Sequence, residues 1–384
     1  MIKPPGTVLL VLNWAPSAQG GVTGVVQQLL ANWGDDSRLH ARMTVNEWSA
    51  RTPVDKNDAC YFRFSLIDDT RIIRTLKSIL QAPIALYRTA RFLRSQGIVA
   101  VNFHYPEMTP LSVAILKLMR IYSGRLILSY HGTDVRPPKN WLEQLLRPVI
   151  FYASDAIVSC SNGLADRLSG TFGLKRDCIS TIYNGVNTKL FSPTASDTTS
   201  LDEALPDRYI LCVGSFIPRK AHDVALRAFA RMADSFPDLH LCIAGGEGPC
   251  LEDLQTQAAS LQLLDRVHFF VGLDPAAVAH ALAKAAIFVQ PSHAESFPLS
   301  VLEAGAVGVP IVASQISGHD EMIFDGETGR LFPDSDDETC AAIITELLSD
   351  PAKAHAMSRV FQRRVISEFT WDQCVRQYKS HYAD

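Results

Sequence analysis

The sequence contains no C-x-x-C pair, and its eight cysteines are scattered along 384 residues. Several lie inside apolar runs, as Cys212 and Cys242 do, where a free thiol behaves as a small buried hydrophobe. This spacing argues against a zinc site or a disulfide framework and is typical of a reducing compartment. The eight are Cys60, Cys160, Cys178, Cys212, Cys242, Cys250, Cys340 and Cys374.

Long apolar runs and an excess of positive charge are also missing. The apolar run at residues 8–12 is too short for a signal sequence or a membrane span. A net charge of −4 gives no overall argument for binding nucleic acid. We therefore expect a cytoplasmic globular protein without a nucleic-acid partner, with a length that suits roughly two domains.

Short continuous apolar segments alternate with segments of helical period in two series. The predicted strands are 8–13, 98–103, 125–130, 156–159 and 180–183, then 209–214, 239–244, 267–271, 287–290 and 310–313. Continuous apolar strands separated by helices predict parallel sheets covered on both faces. The fold class is therefore α/β, with two Rossmann-like, doubly wound domains.

A polar segment rich in serine, threonine and aspartate separates the two series and has the composition of a linker. We predict an N-terminal domain over 1–191, a linker over 192–208 and a C-terminal domain over 209–365. A last helix, about 366–384, is expected to pack back on the first domain. Open α/β sheets bind ligands beyond the carboxyl ends of their strands, so a cleft faced by both sheets is the expected site.

The segment 291–304 directly follows one predicted strand. Pro298 suits the first turn of a helix and Ser296 could cap it, which leaves free N–H groups for a phosphate. Glu295 precedes this helix and Glu303 lies on it. A carboxylate can accept two neighbouring sugar hydroxyls. An isolated glutamate is more often simply solvated, but this context favours a binding site.

Two further clusters follow strands in the second half. Gly214 precedes Arg219 and Lys220, which could clamp a diphosphate, although two solvated cations explain the pair equally well. Gly245 and Glu247 lie in a glycine-rich turn that permits close backbone approach. A plain strand-to-helix turn explains that segment at least as well.

In the first half, Gly20 and Gly21 open a helix after the first strand, but a full G-x-G-x-x-G is absent, so we expect no dinucleotide site. His131 follows another strand and could reach a ligand, although a structural role is equally open. Asp334 and Asp336 form a D-x-D. We interpret them as helix-start residues rather than metal ligands, because Arg219 and Lys220 supply positive charge. No metal and no cofactor are expected.

Taken together, these motifs resemble glycosyltransferase family 4, retaining enzymes with the GT-B fold, over nearly the whole chain and most strongly over 209–331. Glu295 and Glu303 reproduce the family's E-x7-E motif inside the run P-S-x-x-E-S-F-P-L-S-x-L-E-A. Further matches are Gly20-Gly21, His131 with Asp134, Asn184-Gly185-Val186, Arg219-Lys220, the turn 245–249, Val267-x-Phe269-x-x-Gly272 and Asp325-Gly326-x-Thr328-Gly329. The sequence departs from the family at Ser215-Phe216, where Arg-Leu is frequent, at Ala221, where glycine is common, and at Gly318-His319, where Gly-Gly is frequent.

The resemblance implies that Glu303 holds the ribose and Glu295 the donor sugar, while Arg219 and Lys220 neutralise the diphosphate. It places His131 near the reacting centre. The catalytic candidates are His131, Arg219, Lys220 and Glu295. The donor-binding candidates are Gly20, Gly21, Gly214, Gly245, Glu247, Phe297, Pro298, Leu299, Ser300 and Glu303.

The implied reaction moves a sugar from a nucleoside-diphosphate sugar to a hydroxyl of a glycan, a lipid-linked or a small-molecule acceptor, with retention of configuration. A nucleotide-sugar epimerase, another enzyme of the same fold and a non-catalytic nucleotide-sugar-binding protein are the alternatives.

A further expectation is peripheral contact with an anionic membrane, because residues 70–106 have no carboxylate. An ordinary basic outer face explains this stretch equally well. Its cations are Arg71, Arg74, Lys77, Arg88, Arg91 and Arg94.

Overall fold

The computed structural model describes residues 6–17, 20–56, 58–66, 72–194, 201 and 204–382, with the backbone alone at 72–79. The chain forms two compact units, Met1–Tyr183 with Trp371–Asp384, and Asn184–Thr370. All eight cysteines are free thiols, and six of them are buried. Within the described ranges, no helix combines the length and the apolar composition that crossing a bilayer requires.

The first unit is built on an eight-stranded sheet. Its strands are β1 (Gly6–Leu12), β2 (Leu39–Asn46), β3 (Val54–Lys56), β4 (Ala59–Phe62), β5 (Ile98–His104), β6 (Arg125–Tyr130), β7 (Ala156–Ser159) and β8 (Ile179–Thr181). Its helices are α1 (Gly21–Ala31), α2 (Ile72–Ser95), α3 (Leu111–Leu118), α4 (Trp141–Ala153), α5 (Asn162–Phe172) and the C-terminal α13 (Trp371–Tyr382). The strand order is β3-β4-β2-β1-β5-β6-β7-β8. Only the β3–β4 pair is antiparallel among these described strands.

The second unit has a six-stranded parallel sheet in the order β11-β10-β9-β12-β13-β14. The strands are β9 (Tyr209–Val213), β10 (His240–Gly245), β11 (Val267–Val271), β12 (Ile287–Gln290), β13 (Ile311–Ser314) and β14 (Arg330–Phe332). The helices are α6 (His222–Met232), α7 (Leu251–Ser260), α8 (Pro275–Lys284), α9 (Leu299–Val307), α10 (Ser317–Asp320), α11 (Asp337–Ser349) and α12 (Pro351–Glu368). Central strands such as β12 are buried along their whole length, as a sheet covered on both faces requires.

The unit boundaries differ from the domain limits drawn from the sequence. Residues 184–191, which we assigned to the first domain, belong to the second unit, because Val186 pairs with Thr370 and donates its N–H to Phe369 O at 3.0 Å. The last helix begins at residue 371 rather than 366. It is held in the first unit by Asn102, which donates to the Tyr382 hydroxyl at 2.6 Å. Part of the linker 192–208 lies outside the described residues.

Candidate functional site

Most of the candidate residues of the second unit follow β9, β10 and β12, which lie side by side in the sheet. Arg219 and Lys220 lie in a short 3-10 helix after β9. Ala221 ends this turn in the left-handed conformation, with φ 49° and ψ 40°. Glycine adopts that conformation at less cost, so the frequent glycine at this position has a conformational explanation.

Glu295 forms the centre of an ion cluster. Its Oε1 lies 2.6 Å from Lys220 Nζ and its Oε2 lies 3.2 Å from Arg219 Nη1, while Ser292 Oγ donates to Oε1 at 2.9 Å. Burial favours the neutral acid, but the attraction of Lys220 and Arg219 outweighs it and holds the pKa of Glu295 below its ordinary value. The carboxylate therefore stays ionised, and the cluster keeps one net positive charge.

A chain of hydrogen bonds ties this cluster to the start of α9. Ser300 Oγ donates to Gln290 Oε1 at 2.9 Å, and Gln290 Nε2 donates to Ser292 Oγ at 2.8 Å. Ser292 then donates to Glu295. Gln290 and Ser292 are fully buried, so the chain is shielded from water. Sequence reasoning missed both residues, although Gln290 and Ser292 are polar residues at a strand end.

The N-terminus of α9 lacks a side-chain cap among the described residues. Pro298 occupies the N-cap position, so the prediction that Ser296 caps the helix is wrong. Leu299 and Ser300 form the first turn and are partly buried. Uncapped N–H groups at a helix start, next to a net positive cluster, are suited to bind an anion such as phosphate.

Glu303 lies on the same helix, four residues after Leu299. Burial raises the pKa of its carboxyl to about 7, against the opposing effect of the Lys220 charge. Its carboxyl receives no hydrogen bond from any residue in the described part of the chain. Because an unpaired, largely desolvated carboxylate gains most from new hydrogen-bond donors, Glu303 is suited to accept ligand hydroxyls.

Two donor-binding candidates have other surroundings. Phe297 is buried in the second unit, where its ring packs edge-on against Phe369 with centroids 5.3 Å apart. Its side chain therefore contributes to the core. Glu247 is exposed and forms no hydrogen bond with a described residue.

Gly245 allows β10 to end directly against the loop that carries the cations. A Cβ atom at this position would lie 1.9 Å from Gly214 O. A Cβ at Gly214 would in turn contact the Lys220 side chain at 3.0 Å. Both glycines therefore act through close packing, which places the stem of Lys220.

We expect Gly245→Ala to lower the free energy of unfolding by about 1–3 kcal/mol, because the new methyl group must displace backbone. Gly170→Ala is the matched control, since a Cβ there meets nothing within 4 Å and the residue lies in α5. That control should be neutral or stabilising by up to ~1 kcal/mol. Urea unfolding of both variants measures the difference, and equal midpoints would contradict the close-packing account.

The D-x-D acids have structural partners. Asp336 caps α11 by accepting the N–H of Thr339 at 2.9 Å, and Asp334 lies 2.7 Å from His293 Nδ1. No grouping of three or more histidine, cysteine or acidic side chains suited to a metal ion occurs among the described residues. The helix-start interpretation accounts for Asp336, and metal independence stays a prediction.

In the first unit, His131 follows β6 and contacts a second histidine that the sequence analysis missed. His104, the last residue of the neighbouring β5, has its Nδ1 3.0 Å from His131 Nε2, and the two rings stack at 5.2 Å. Burial lowers the pKa of His131 to about 4, and burial together with the neighbouring His131 holds the pKa of His104 well below its ordinary value. Both imidazoles are therefore neutral near pH 7, and one of the two rings donates a hydrogen bond to the other. The sequence does contain a signal for His104, because it is a histidine at the end of β5, the strand beside β6.

Asp134 orders the loop that carries His131. Its carboxylate accepts the N–H groups of His131 and Gly132, at 3.1 Å and 2.6 Å. Burial raises the pKa of Asp134 to about 6, although these hydrogen bonds oppose the shift. Gly21 begins α1 and Gly20 is its N-cap residue. No side chain among the described residues caps this helix, and a Cβ on Gly21 would meet nothing within 4 Å. This space leaves room for a ligand at the α1 N-terminus.

Two family models match the chain in adjoining regions. The model for Glycosyl transferases group 1 matches residues 196–363, and the model for Glycosyltransferase Family 4 matches residues 48–190. The chain is 27% identical over 375 residues to a GDP-mannose-dependent alpha-(1-6)-phosphatidylinositol monomannoside mannosyltransferase of Mycolicibacterium smegmatis, covering 95% of each chain. It is 29% identical over 263 residues to a glycogen synthase of Mycobacterium tuberculosis, covering 67% of this chain and 62% of the relative.

The fold has the same type of neighbours. Sucrose-phosphate synthase from Thermosynechococcus elongatus superposes with a TM-score of 0.76 at 23% identity, covering 98% of both chains. The two parallel-sheet units are those of the GT-B fold. With family models matched over most of its length, the chain belongs to glycosyltransferase family 4 and is a glycosyltransferase.

Proposed function

We propose that the chain transfers a glycosyl group from a nucleoside-diphosphate sugar to an acceptor hydroxyl, with retention of configuration. The observation that carries this proposal is helix α9. No described side chain caps its N-terminus, and the Glu303 carboxyl on the same helix accepts no hydrogen bond from a described residue. Leu299 and Glu303 are four positions apart on α9, which corresponds to a rise of about 6 Å. An anion site and a hydroxyl site at this spacing suit a phosphate and the ribose of one nucleotide.

The Glu295 cluster would act on the rest of the donor. Lys220 and Arg219 supply the positive charge that a departing diphosphate needs, and Glu295 accepts hydroxyls of the sugar. Because the hydrogen-bond chain through Gln290 and Ser292 reaches from α9 to Glu295, it would fix the sugar contact relative to the phosphate contact. No metal is needed in this scheme.

Retention suits a front-face substitution. The acceptor oxygen bonds to the anomeric carbon on the face from which the diphosphate leaves, and the bond from that carbon to the phosphate oxygen breaks. The hydroxyl proton passes to the departing diphosphate, so charge and atoms balance. Lys220 and Arg219 stabilise the charge that develops on the leaving group.

The relatives that match nearly the whole chain are named as GDP-mannose-dependent mannosyltransferases, so we propose GDP-mannose as the first donor to test. A panel of nucleotide sugars should include one donor that raises the melting temperature, since a ligand at 100 times its Kd adds about 2.7 kcal/mol. Incubation with glycan and lipid-linked acceptors should yield an α-linked product from an α-linked donor. Isomerised donor formed without any acceptor, or no donor binding, would contradict the proposal.

His131→Ala should lower turnover far more than it lowers nucleotide affinity, because we propose that His131 acts on the reacting sugar. With its pKa near 4, neutral His131 should add no acid limb to the rate profile between about pH 5.5 and 8. Steady-state kinetics and nucleotide titration separate the two effects. A collapse of nucleotide affinity with turnover preserved at saturation would show that this role is wrong.

A further inference from the structure

One side of the first unit exposes apolar side chains in two helical stripes. Leu80, Ile84 and Tyr87 follow one another along α2 at helical spacing. A second stripe on α4 consists of Trp141, Leu145 and Tyr152. The relative exposures of these six side chains lie between 54% and 83%. Grouped exposed apolar side chains usually mark a contact surface, whereas single ones do not.

The two stripes lie on the same side of the sheet. Each of the crossovers β4-α2-β5, β5-α3-β6 and β6-α4-β7 runs in the same direction across parallel strands. Right-handed crossovers then put all three helices on one face. α3 also packs against both α2 and α4. We call the outward side of these helices the α2–α4 face.

The charge of this face is opposite to that of the whole protein. α2, α3 and α4 have 24, 8 and 13 residues and contain a single carboxylate, Glu143. Its side chain is only 2% exposed and is paired with Arg136 and Arg147. The cations Arg88 and Arg91 are exposed. The chain as a whole carries −4, so positive charge is concentrated here.

A pocket beside α2 repeats the combination of cations and apolar surface. Arg51, Arg63 and Arg88 line it together with Ile84, and its lining contains no carboxylate. Such a pocket suits a phosphate group attached to an apolar body. Of the other predicted membrane cations, Arg94 is exposed, Arg71 lies outside the described residues, and the side chains of Arg74 and Lys77 are not described.

We propose that the α2–α4 face docks on an anionic lipid bilayer. The apolar stripes would insert at the level of the lipid headgroups, and the arginines would pair with lipid phosphates. Nucleic acid would use the cations but would leave two aliphatic and aromatic stripes unburied. A bilayer surface accounts for both features at once.

The test is co-sedimentation of the full chain with vesicles of phosphatidylglycerol and phosphatidylcholine at about 0.15 M salt, an approximately physiological ionic strength. We expect wild-type protein to bind these vesicles and to bind pure phosphatidylcholine vesicles about tenfold or more weakly. Leu80→Glu with Ile84→Glu, and separately Trp141→Glu with Leu145→Glu, should each reduce binding roughly tenfold or more, because charged side chains do not insert. Arg88→Gln with Arg91→Gln should also reduce binding about tenfold without any new charge to disturb folding.

Leu264→Glu with Ile366→Glu is the matched control, since both side chains are exposed in the second unit. This control should bind as wild type does. Circular dichroism and nucleotide-sugar binding in the absence of lipid check that each variant is folded. Absence of wild-type binding, equal loss in the control, or unchanged binding in all three face variants would overturn the proposal. Failure of the membrane proposal would not contradict the proposed glycosyl transfer, because donor binding is measured separately.

Discussion

Lys220→Met should lower turnover by about 10²–10³, the usual cost of removing one preorganised stabiliser of developing negative charge. Lys220 Nζ lies 2.6 Å from Glu295 Oε1, so the substitution removes the shorter of the two ion pairs in the cluster. The pKa of Glu295 should rise as well, because less positive charge then offsets its burial. Methionine keeps most of the side-chain volume, which limits packing loss. Single-turnover kinetics at saturating donor measure the effect.

Arg219 provides the matched comparison. Arg219→Lys should restore only part of the rate lost in Arg219→Ala, because an ammonium cannot present two parallel donors to a phosphate. The fold decrease in rate of the double variant of Arg219 and Lys220 should be smaller than the product of the two single decreases, since both cations act on one leaving group. Full additivity, or an unchanged rate in Lys220→Met, would show that the cations act elsewhere.

Glu303→Gln should weaken donor binding by about 10- to 100-fold, the equivalent of a lost charged hydrogen bond. Wild-type affinity should rise as pH increases from about 6 to 8, because the carboxyl has a pKa of about 7 and its ionised form accepts hydroxyls better. The Glu303→Gln variant should show a flat profile, because its amide does not titrate. Calorimetric titration of the donor at several pH values measures both effects, and unchanged affinity would remove Glu303 from the site.

Glu303→Gln should weaken donor binding, but at high pH it should increase the free energy of unfolding. Burial raises the pKa of Glu303, so the folded state binds more protons than the unfolded state, and stability is lost as pH rises from about 4.5 toward 7. Glu303→Gln should therefore be more stable than wild type at about pH 8, and at about pH 4 the two should be similar. At about pH 8, wild-type Glu303 should therefore lower the stability of the fold and raise donor affinity relative to Glu303→Gln. A glutamate that served only folding would not show this combination.

Much of the fold could be predicted from apolar runs, but part of the first unit could not. β2 alternates His40 and Arg42 with apolar residues, and only continuous apolar runs were interpreted as strands. α2 carries Pro83 inside the helix, which normally argues for a break. In both elements tertiary packing decides the structure against the local pattern.

The sequence predicted several residues of the candidate site, but it did not predict which of their side chains contact one another. Strand ends and the E-x7-E motif identified Glu295, Glu303 and Lys220. The ion pair of Glu295 with Lys220 joins residues 75 positions apart, and no local pattern encodes it. His104 was missed for the same reason, since its partner lies after the neighbouring strand.

Glycosyl transfer from the preferred donor in the presence of EDTA tests the central claim most directly. If Lys220 and Arg219 neutralise the leaving diphosphate, wild-type protein should keep its full transfer rate in the chelator. The transfer rate of Lys220→Met should be lower than that of wild type by about 10²–10³-fold. Transfer abolished by EDTA, restored by manganese and indifferent to Lys220→Met would contradict the account and would make Asp334 and Asp336 candidate metal ligands.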